Sequence, residues 1–200
     1  MASEAYIRNQ SEYLKAGNLS DLTLNFGDRS WKAHKAIACS HSQWFRRAVT
    51  GAFEESSSGI VTLQDEPEFA DAIDCMVSYF YSAGYTISVY ESSAALLHAR
   101  VAIIADKYDC AALFEVAKAK LADCIGTADI DDWVAIADLI YNYTASELES
   151  HAQLRKSVVG AATALNNATE AFLRNEHVKE LLRSNADLAT DLLISNDQDW

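Results

Sequence analysis

The first third of the chain has short runs in which apolar and polar residues alternate, and this pattern predicts a small sheet. Residues 22–26 read apolar at every second position, as in a strand with one buried face. Gly27-Asp28 is typical of a hairpin turn, so a second strand is expected around Trp31. A third short strand is predicted at residues 60–63.

Before, between and after these strands, apolar residues recur at helical spacing. A short helix is predicted at residues 4–15, and Ser42 is expected to cap a helix that stops at Gly51. Asp65 is expected to cap a further helix, with a proline in its first turn. That helix has one clean apolar face, made by Phe69, Ile73, Met76, Val77 and Phe80.

A brief strand is predicted at residues 85–89, and from residue 92 onward the pattern is helical alone. Successive apolar stripes separated by polar breaks predict five or so packed helices after residues 125–128. The order of elements indicates an α+β domain followed by an all-α C-terminal extension. We therefore divide the chain into an N-terminal helix or arm (1–17), a mixed domain (18–124) and a helical extension (125–200).

Composition favours a cytoplasmic or nuclear protein. No apolar run approaches the roughly 20 residues that cross a bilayer, and residues 1–10 lack the apolar core of a signal peptide. The four cysteines are far apart in sequence and form no CxxC pair, so we expect buried reduced thiols. They are Cys39, Cys75, Cys110 and Cys124.

The net charge of −13 is concentrated in the middle of the chain. Residues 61–150 hold four Lys/Arg against sixteen Asp/Glu. Such a field repels nucleic-acid phosphates and anionic membranes, so we expect neither as a direct partner. A protein partner with a basic face would be attracted. A surface that only keeps the protein soluble is the other interpretation, and the sequence does not separate the two.

The titratable residues do not suggest an enzyme. His34 is expected to be a buried histidine that hydrogen-bonds backbone and orients a strand-to-helix junction. No nucleophile with a base and a second acid is apparent, and the other four histidines show no metal-ligand spacing. There is no glycine-rich phosphate loop. We expect no catalysis, no metal and no cofactor.

Four motifs, in order over about a hundred residues, carry a family resemblance. They are His34-Lys35-Ala36-Ile37 with Ser42 and Phe45, then Phe53-Glu54-Glu55-Ser56, then Phe80-Tyr81-Ser82-Ala83-Gly84-Tyr85, and finally Ala105-Asp106-Lys107-Tyr108 with Leu113. Together they resemble the BTB/POZ domain, and the overall style is similar to its fungal members. The resemblance implies a small mixed sheet with helical hairpins. Ala38 and Val49 depart from the pattern by being small, and Trp44 is expected to refill the core.

The resemblance also implies partner contacts. Phe53-Glu54-Glu55 is similar to the hydrophobic-x-Glu motif with which some members bind cullin-3. In this interpretation Phe53 is an aromatic anchor, and the glutamates are carboxylates at the rim of the contact. Neighbouring contact surface is expected from Tyr81, Tyr85 and Tyr108. Alternatively, the segment is only the usual turn after the second helix of the domain, which members that do not bind cullin share.

A homodimer is the second implied contact. In dimeric relatives the residues matching Asp21 and Lys35 line a charged pocket at the subunit interface, and the N-terminal helix packs across the two-fold axis. Here that helix offers a thin apolar stripe of Tyr6, Ile7 and Leu14. The alternative is that Asp21 and Lys35 form an ion pair within one protomer.

Taken together, these features predict a protein–protein interaction module. The sharper hypothesis is a substrate adaptor for a cullin-3 type ubiquitin ligase, in which the C-terminal helices extend the scaffold. The alternative is a non-enzymatic oligomerisation scaffold, or a corepressor-type assembly, with no ubiquitin role.

Overall fold

The computed structural model describes residues 12–13, 15–52, 54–87, 93–168 and 172–197. The chain divides into two compact units. The first contains residues 1–88 with 104–116, and the second contains residues 89–103 with 117–200. The division falls inside two long helices, whereas the sequence predicted a boundary near residue 124. The predicted end of the mixed domain at residue 124 stays a prediction.

Three short strands form a mixed sheet in the first unit. Strand β1 (Leu22–Phe26) pairs antiparallel with β2 (Arg29–Ala33) and parallel with β3 (Ile60–Thr62), so the order is β2-β1-β3. Alternate residues of β1 are buried, as its period-2 pattern predicts. Positive φ at Gly27 allows the tight turn into β2. The predicted strand at 85–89 is not found at residues 85–87, and its remainder lies outside the described residues.

Three described helices of the first unit lie between β2 and β3 in the chain, and a fourth follows β3. They are α1 (Lys35–His41), α2 (Gln43–Thr50), α3 (Glu54–Ser58) and α4 (Ala70–Ser82), the last preceded by a 3₁₀ turn at Pro67–Phe69. Ser42 has extended backbone between α1 and α2, and its hydroxyl accepts the amide of Phe45 at 2.9 Å. This predicted cap is confirmed. It turns α1 and α2 into a helical hairpin, and α1 also packs against α4.

The core of the first unit lies between the sheet and these helices. All five residues of the predicted apolar face of α4 are buried. Trp44 stands edge-on to Phe45 and Tyr108, with ring centroids 5.0 and 4.9 Å apart. Trp44 thus adds an aromatic contact beside the core. Its predicted role in refilling the space left by Ala38 and Val49 stays a prediction.

The remaining elements are helical. They are α5 (Ala94–Lys107), α6 (Ala111–Ile125), α7 (Ile130–Tyr143), α8 (Glu149–Ala168), a 3₁₀ turn (Phe172–Arg174), α9 (Glu176–Ser184) and α10 (Ala186–Asp197). In the second unit, fully buried Trp133 stands edge-on to Phe172 and donates its indole N–H to the carbonyl of Val158 at 3.0 Å. Among the described helices, none combines the length and apolar character needed to span a bilayer.

The four cysteines are free thiols. Cys75 and Cys110 are buried, as expected, whereas Cys39 and Cys124 are half-buried. Burial raises the pKa of the Cys110 thiol to about 12. A thiol with so high a pKa is a poor nucleophile at neutral pH, which fits the predicted role as a small apolar residue.

Candidate protein-interaction site

His34 joins the sheet to α1. It is buried, and its Nε2 lies 2.8 Å from the carbonyl oxygen of Asn18 while its Nδ1 lies 2.9 Å from the Tyr81 hydroxyl. Because a carbonyl can only accept, Nε2 must carry a proton. A neutral ring therefore accepts at Nδ1 from Tyr81. The predicted role as a buried histidine at the strand-to-helix junction is confirmed.

Asp21 and Lys35 meet within one chain, through the backbone. The Asp21 carboxylate accepts the backbone N–H of Lys35 at 2.8 Å, which is the first amide of α1. The Lys35 ammonium reaches past it to the carbonyl of Ser56 at 3.0 Å, so it ties α3 to α1. The contact is thus a helix cap, which differs from the predicted side-chain ion pair. A place for these two residues in a dimer interface stays a prediction.

Gly59 brings the end of α3 close to this junction. It has a φ of +65°, and its carbonyl accepts the amide of Thr23 at 2.8 Å. A Cβ at this position would come within 2.9 Å of the backbone oxygen of Asp21. Glycine is therefore needed here both for its backbone conformation and for space. The end of α3 is therefore held against β1.

The segment predicted to bind a cullin partly coincides with α3. Phe53 lies outside the described residues, as do Tyr6, Ile7 and Leu14 of the predicted N-terminal stripe. Glu54 is exposed and Glu55 is half-buried, and both lie in the first turn of α3. Carboxylates in the first turn stabilise a helix, because its N-terminal end carries a partial positive charge. The structure therefore presents a short acidic helix at the predicted place.

Asp65 corrects the sequence-based picture. It was expected to cap the helix after β3, but the residue before the 3₁₀ turn is Glu66, which makes no side-chain cap. Asp65 instead accepts from the Lys107 ammonium and from the Tyr108 hydroxyl, and its side chain is 4% exposed. Lys107 also donates to the carbonyl of Gln64 at 2.8 Å. The end of α5 is thereby tied to the end of β3.

Two of the three tyrosines predicted to supply contact surface do not lie on the surface. Tyr85 is 5% exposed and Tyr108 is 2% exposed. Burial, followed by the hydrogen bond to Asp65, raises the pKa of Tyr108. Tyr81 is half-buried, and burial raises the pKa of its hydroxyl too. The prediction of surface contacts is wrong for Tyr85 and Tyr108, because both side chains are buried. The ring of Tyr108 packs against Trp44 and Phe45.

The exposed charged groups near Asp65 and the end of α5 are mainly acidic. Glu66 and Glu68 are exposed beside Asp65, and Lys107 and Asp109 are exposed at the end of α5. The ion pair between Asp109 and Arg47 spans 3.3 Å and also lies on the surface. Within the described residues there is no cluster of three or more His, Cys, Asp or Glu side chains that could hold a metal ion. The arrangement is suited to contact with a protein surface.

Comparison with known proteins identifies the family. A model of the BTB/POZ domain matches residues 11–124, which is more than half of the chain. The chain belongs to the BTB/POZ domain family. The mixed three-stranded sheet with its helical hairpin, and the helices that follow, form the fold predicted from the sequence.

Named relatives of this BTB/POZ protein are Kelch-like proteins. Kelch-like protein 11 of Homo sapiens is 28% identical over 148 residues, which cover 70% of this chain and 19% of the relative. Kelch-like protein 35 of Mus musculus is 26% identical over 96 residues, which cover 48% of this chain and 17% of the relative. The chain thus spans only about a fifth of the length of these relatives. Family and relatives together support a protein-interaction module.

Two features of the structure were missed in the sequence. The Asp65 contacts join residues more than forty positions apart, and the spacing of charges along the chain gives no signal for them. In the second unit, Arg155 is buried and is held by Thr144 and Asp187. Arg155 stands next to Lys156 in the sequence, and nothing in the spacing of apolar residues distinguishes the buried cation from the exposed one.

Proposed function

We propose that this BTB/POZ protein is a non-enzymatic substrate adaptor for a cullin-3 type ubiquitin ligase, acting in the cytoplasm, the nucleus or both. The observation that carries the proposal is α3. It presents Glu54 to solvent directly after Phe53. Lys35 ties it to α1, and Gly59 connects its end with β1. A fixed short helix with an aromatic residue before it is a suitable docking element, because little order is lost on binding.

Charge supports the same partner class. The acidic groups of α3 and of the loop at residues 65–68 would meet basic groups on a partner. Rim carboxylates of this kind increase the rate of association and select against acidic partners more than they add affinity. The aromatic anchor would supply most of the binding free energy.

The likeness to Kelch-like protein 11 extends past the BTB/POZ domain. It covers 70% of the chain, which is more than residues 1–124 contain, so it must include part of the helical extension. A shared extension supports the view that the helices after residue 124 work together with the domain. We propose that they extend the scaffold contact or read a target.

The test is association with the N-terminal half of cullin-3. We expect the wild-type protein to co-elute with it in size exclusion at tens of micromolar, and Phe53→Ala to abolish co-elution. Truncating a buried aromatic anchor at an interface commonly costs 2 kcal/mol or more, about thirtyfold in affinity. Absence of co-elution by the wild type would remove the adaptor role.

Phe69→Ala provides a matched control for folding. Phe69 is 1% exposed in the core, so its truncation should destabilise the protein by about 3–5 kcal/mol. If Phe53 is a partner anchor, Phe53→Ala should melt close to the wild type. A melting temperature as low as that of Phe69→Ala would show that Phe53 belongs to the core and that the docking interpretation is wrong.

Self-association is the second candidate, and it would make the protein an oligomerisation scaffold or part of a corepressor-type assembly. The family membership favours it, and an isologous two-fold dimer is the expected form. Light scattering of the purified chain distinguishes dimer from monomer. A dimer that does not bind cullin would support the scaffold over the adaptor.

A further inference from the structure

The second unit contains a cleft to which no function has been given above. It lies between α8 and α10, close to the loop that precedes α8, and has a volume of about 340 Å³. Its walls combine apolar and hydroxyl-bearing side chains with two cationic residues and one carboxylate. The apolar and hydroxyl members are Ala152, Val159, Ile194, Ser146 and Ser195.

One of the two cations in the cleft already has its partners. The Arg155 guanidinium donates to the carbonyl and hydroxyl of Thr144 at 2.6 and 3.0 Å, and to the Asp187 carboxylate at 3.1 Å. It also lies over the ring of Tyr141, 4.5 Å from the centroid. The cleft carboxylate, Asp191, accepts the Tyr141 hydroxyl at 2.7 Å. These hydrogen bonds hold Arg155 and Asp191 in the wall of the cleft.

The second cation is available. Lys156 is exposed and lines the cleft, and its ammonium has no hydrogen-bond or ion-pair partner among the described residues. The hydroxyls of Ser146 and Ser195 likewise have no hydrogen-bond partner among the residues that the structure describes. Three donors that line one cleft, one of them charged, match an anion with at least two acceptor oxygens.

The rest of the cleft is apolar, and part of it is unusually exposed. Ile194 has 54% of its surface exposed, although it lines the cleft together with the buried Val159. An aliphatic ligand group would remove this surface from water, which is favourable at roughly 25 cal/mol per Å². An inorganic anion would gain nothing from that wall.

The size of the cleft restricts the ligand further. A volume of about 340 Å³ is at the lower end of the range for ligand sites, enough for one large residue. The anion with two acceptor oxygens that an unmodified protein carries is a carboxylate. In a cleft of this size the ligand's carboxylate and its aliphatic group must belong to the same residue. Only the last residue of a chain carries a carboxylate on the Cα that bears its aliphatic side chain.

We propose that this cleft binds the C-terminal carboxylate of a partner protein that ends in a large aliphatic residue. Lys156 and the two serine hydroxyls hold the carboxylate, and Val159 and Ile194 contact the side chain. Binding itself does not depend on the adaptor function. The further role of the cleft as the place where an adaptor reads its target rests on that function.

The probe is N-acetyl-L-leucine, compared with N-acetyl-L-leucinamide, which lacks the charge. We expect titration of the ¹⁵N-labelled full chain with the acid to give saturable shifts at the amides of residues 152–159 and 194–195. The amide should bind at least fivefold more weakly. Equal binding of the two probes, or no saturable shift, would overturn the proposal.

Lys156→Met and Lys179→Met form the matched pair of variants. Lys179 is also a surface lysine of the second unit, but it pairs with Glu176 on α9 and does not line the cleft. We expect Lys156→Met to weaken acetyl-leucine binding at least fivefold and Lys179→Met to leave it unchanged. Equal effects of both substitutions would overturn the proposal, as would tighter binding of inorganic phosphate at the same amides. Cullin co-elution, measured separately, reports on the adaptor function alone.

Discussion

Asp21 shows how a single carboxylate can organise the junction between the hairpin and the first helix. It precedes β1, and it takes the place of a local cap for α1, because His34 at the N-cap makes no side-chain cap of its own. A cap supplied from a distant segment joins two elements as well as satisfying an amide. The same residue was expected to face a second subunit, and the structure gives it a task within one chain.

This role predicts a difference between two substitutions. Asp21→Ala should lower the free energy of unfolding by about 1 kcal/mol, because the first amide of α1 loses its acceptor. Asp21→Asn keeps an acceptor oxygen and should cost much less. Urea denaturation of both variants measures the difference. Equal losses would mean that the charge, and not the cap, is what matters.

His98 gives a prediction about pH. It is 5% exposed in α5, and burial, with a smaller effect of Lys120, lowers its pKa to about 4. The folded state therefore binds a proton at His98 less well than the unfolded chain does. Above pH 6.5 both states hold the neutral ring and the difference costs nothing. As the pH falls below 6.5, protonation increasingly favours the unfolded chain. We expect the free energy of unfolding to fall between pH 6.5 and 5, by at most about 1.4 kcal/mol per unit.

Substitution of His98 isolates this effect. His98→Gln should flatten the dependence on pH over the same interval, whatever its effect on stability at pH 7. The measurement is denaturant unfolding at several pH values for the wild type and the variant. Parallel curves would show that other groups cause the loss.

At the scale of elements, the last helix is held by a small number of polar contacts. Arg155 on α8 reaches Asp187 at the start of α10, and Tyr141 on α7 reaches Asp191 one turn later. Apolar contacts by buried Leu188 add to these. Because Leu193 and Ile194 of α10 remain largely exposed, we expect its packing to depend heavily on the Arg155 network.

Arg155→Lys tests this dependence. The planar guanidinium of arginine donates to Thr144 and Asp187 at the same time. Lysine keeps the charge, but its single ammonium cannot reproduce that geometry. We expect a loss of about 2 kcal/mol or more, since buried acceptors lose their donors. Hydrogen exchange should accelerate in α10 (186–197) more than in α7 (130–143). Uniform acceleration in both helices would contradict a local anchoring role.

At the scale of the whole molecule, the net charge of −13 bears on association more than on folding. If the acidic segment at residues 61–150 faces a basic partner, raising the salt concentration from about 50 to 300 mM should weaken binding several-fold, mainly through the association rate. Surface plasmon resonance with the cullin fragment measures both rates. A complex insensitive to salt would mean that the acidic surface serves solubility only.

Local features of the fold were predictable from sequence. The period of two at residues 22–26, the Gly27-Asp28 turn, the Ser42 cap and the apolar face of α4 each depend on neighbours within a few positions. Such interactions are short in sequence, so residue order alone contains them. The ordered set of motifs was long enough to indicate the BTB/POZ family, which the match to residues 11–124 shows.

Contacts between distant segments were decided by the tertiary structure. Asp65 had the sequence context of a helix cap, but folding brought Lys107 and Tyr108 to it, and those donors satisfied it better. Tyr85 and Tyr108 each belong to a motif that was expected to supply contact surface, yet both side chains are buried in the close-packed interior. Periodicity gives the face of a helix or strand, whereas the partner of a polar side chain depends on packing across the whole molecule.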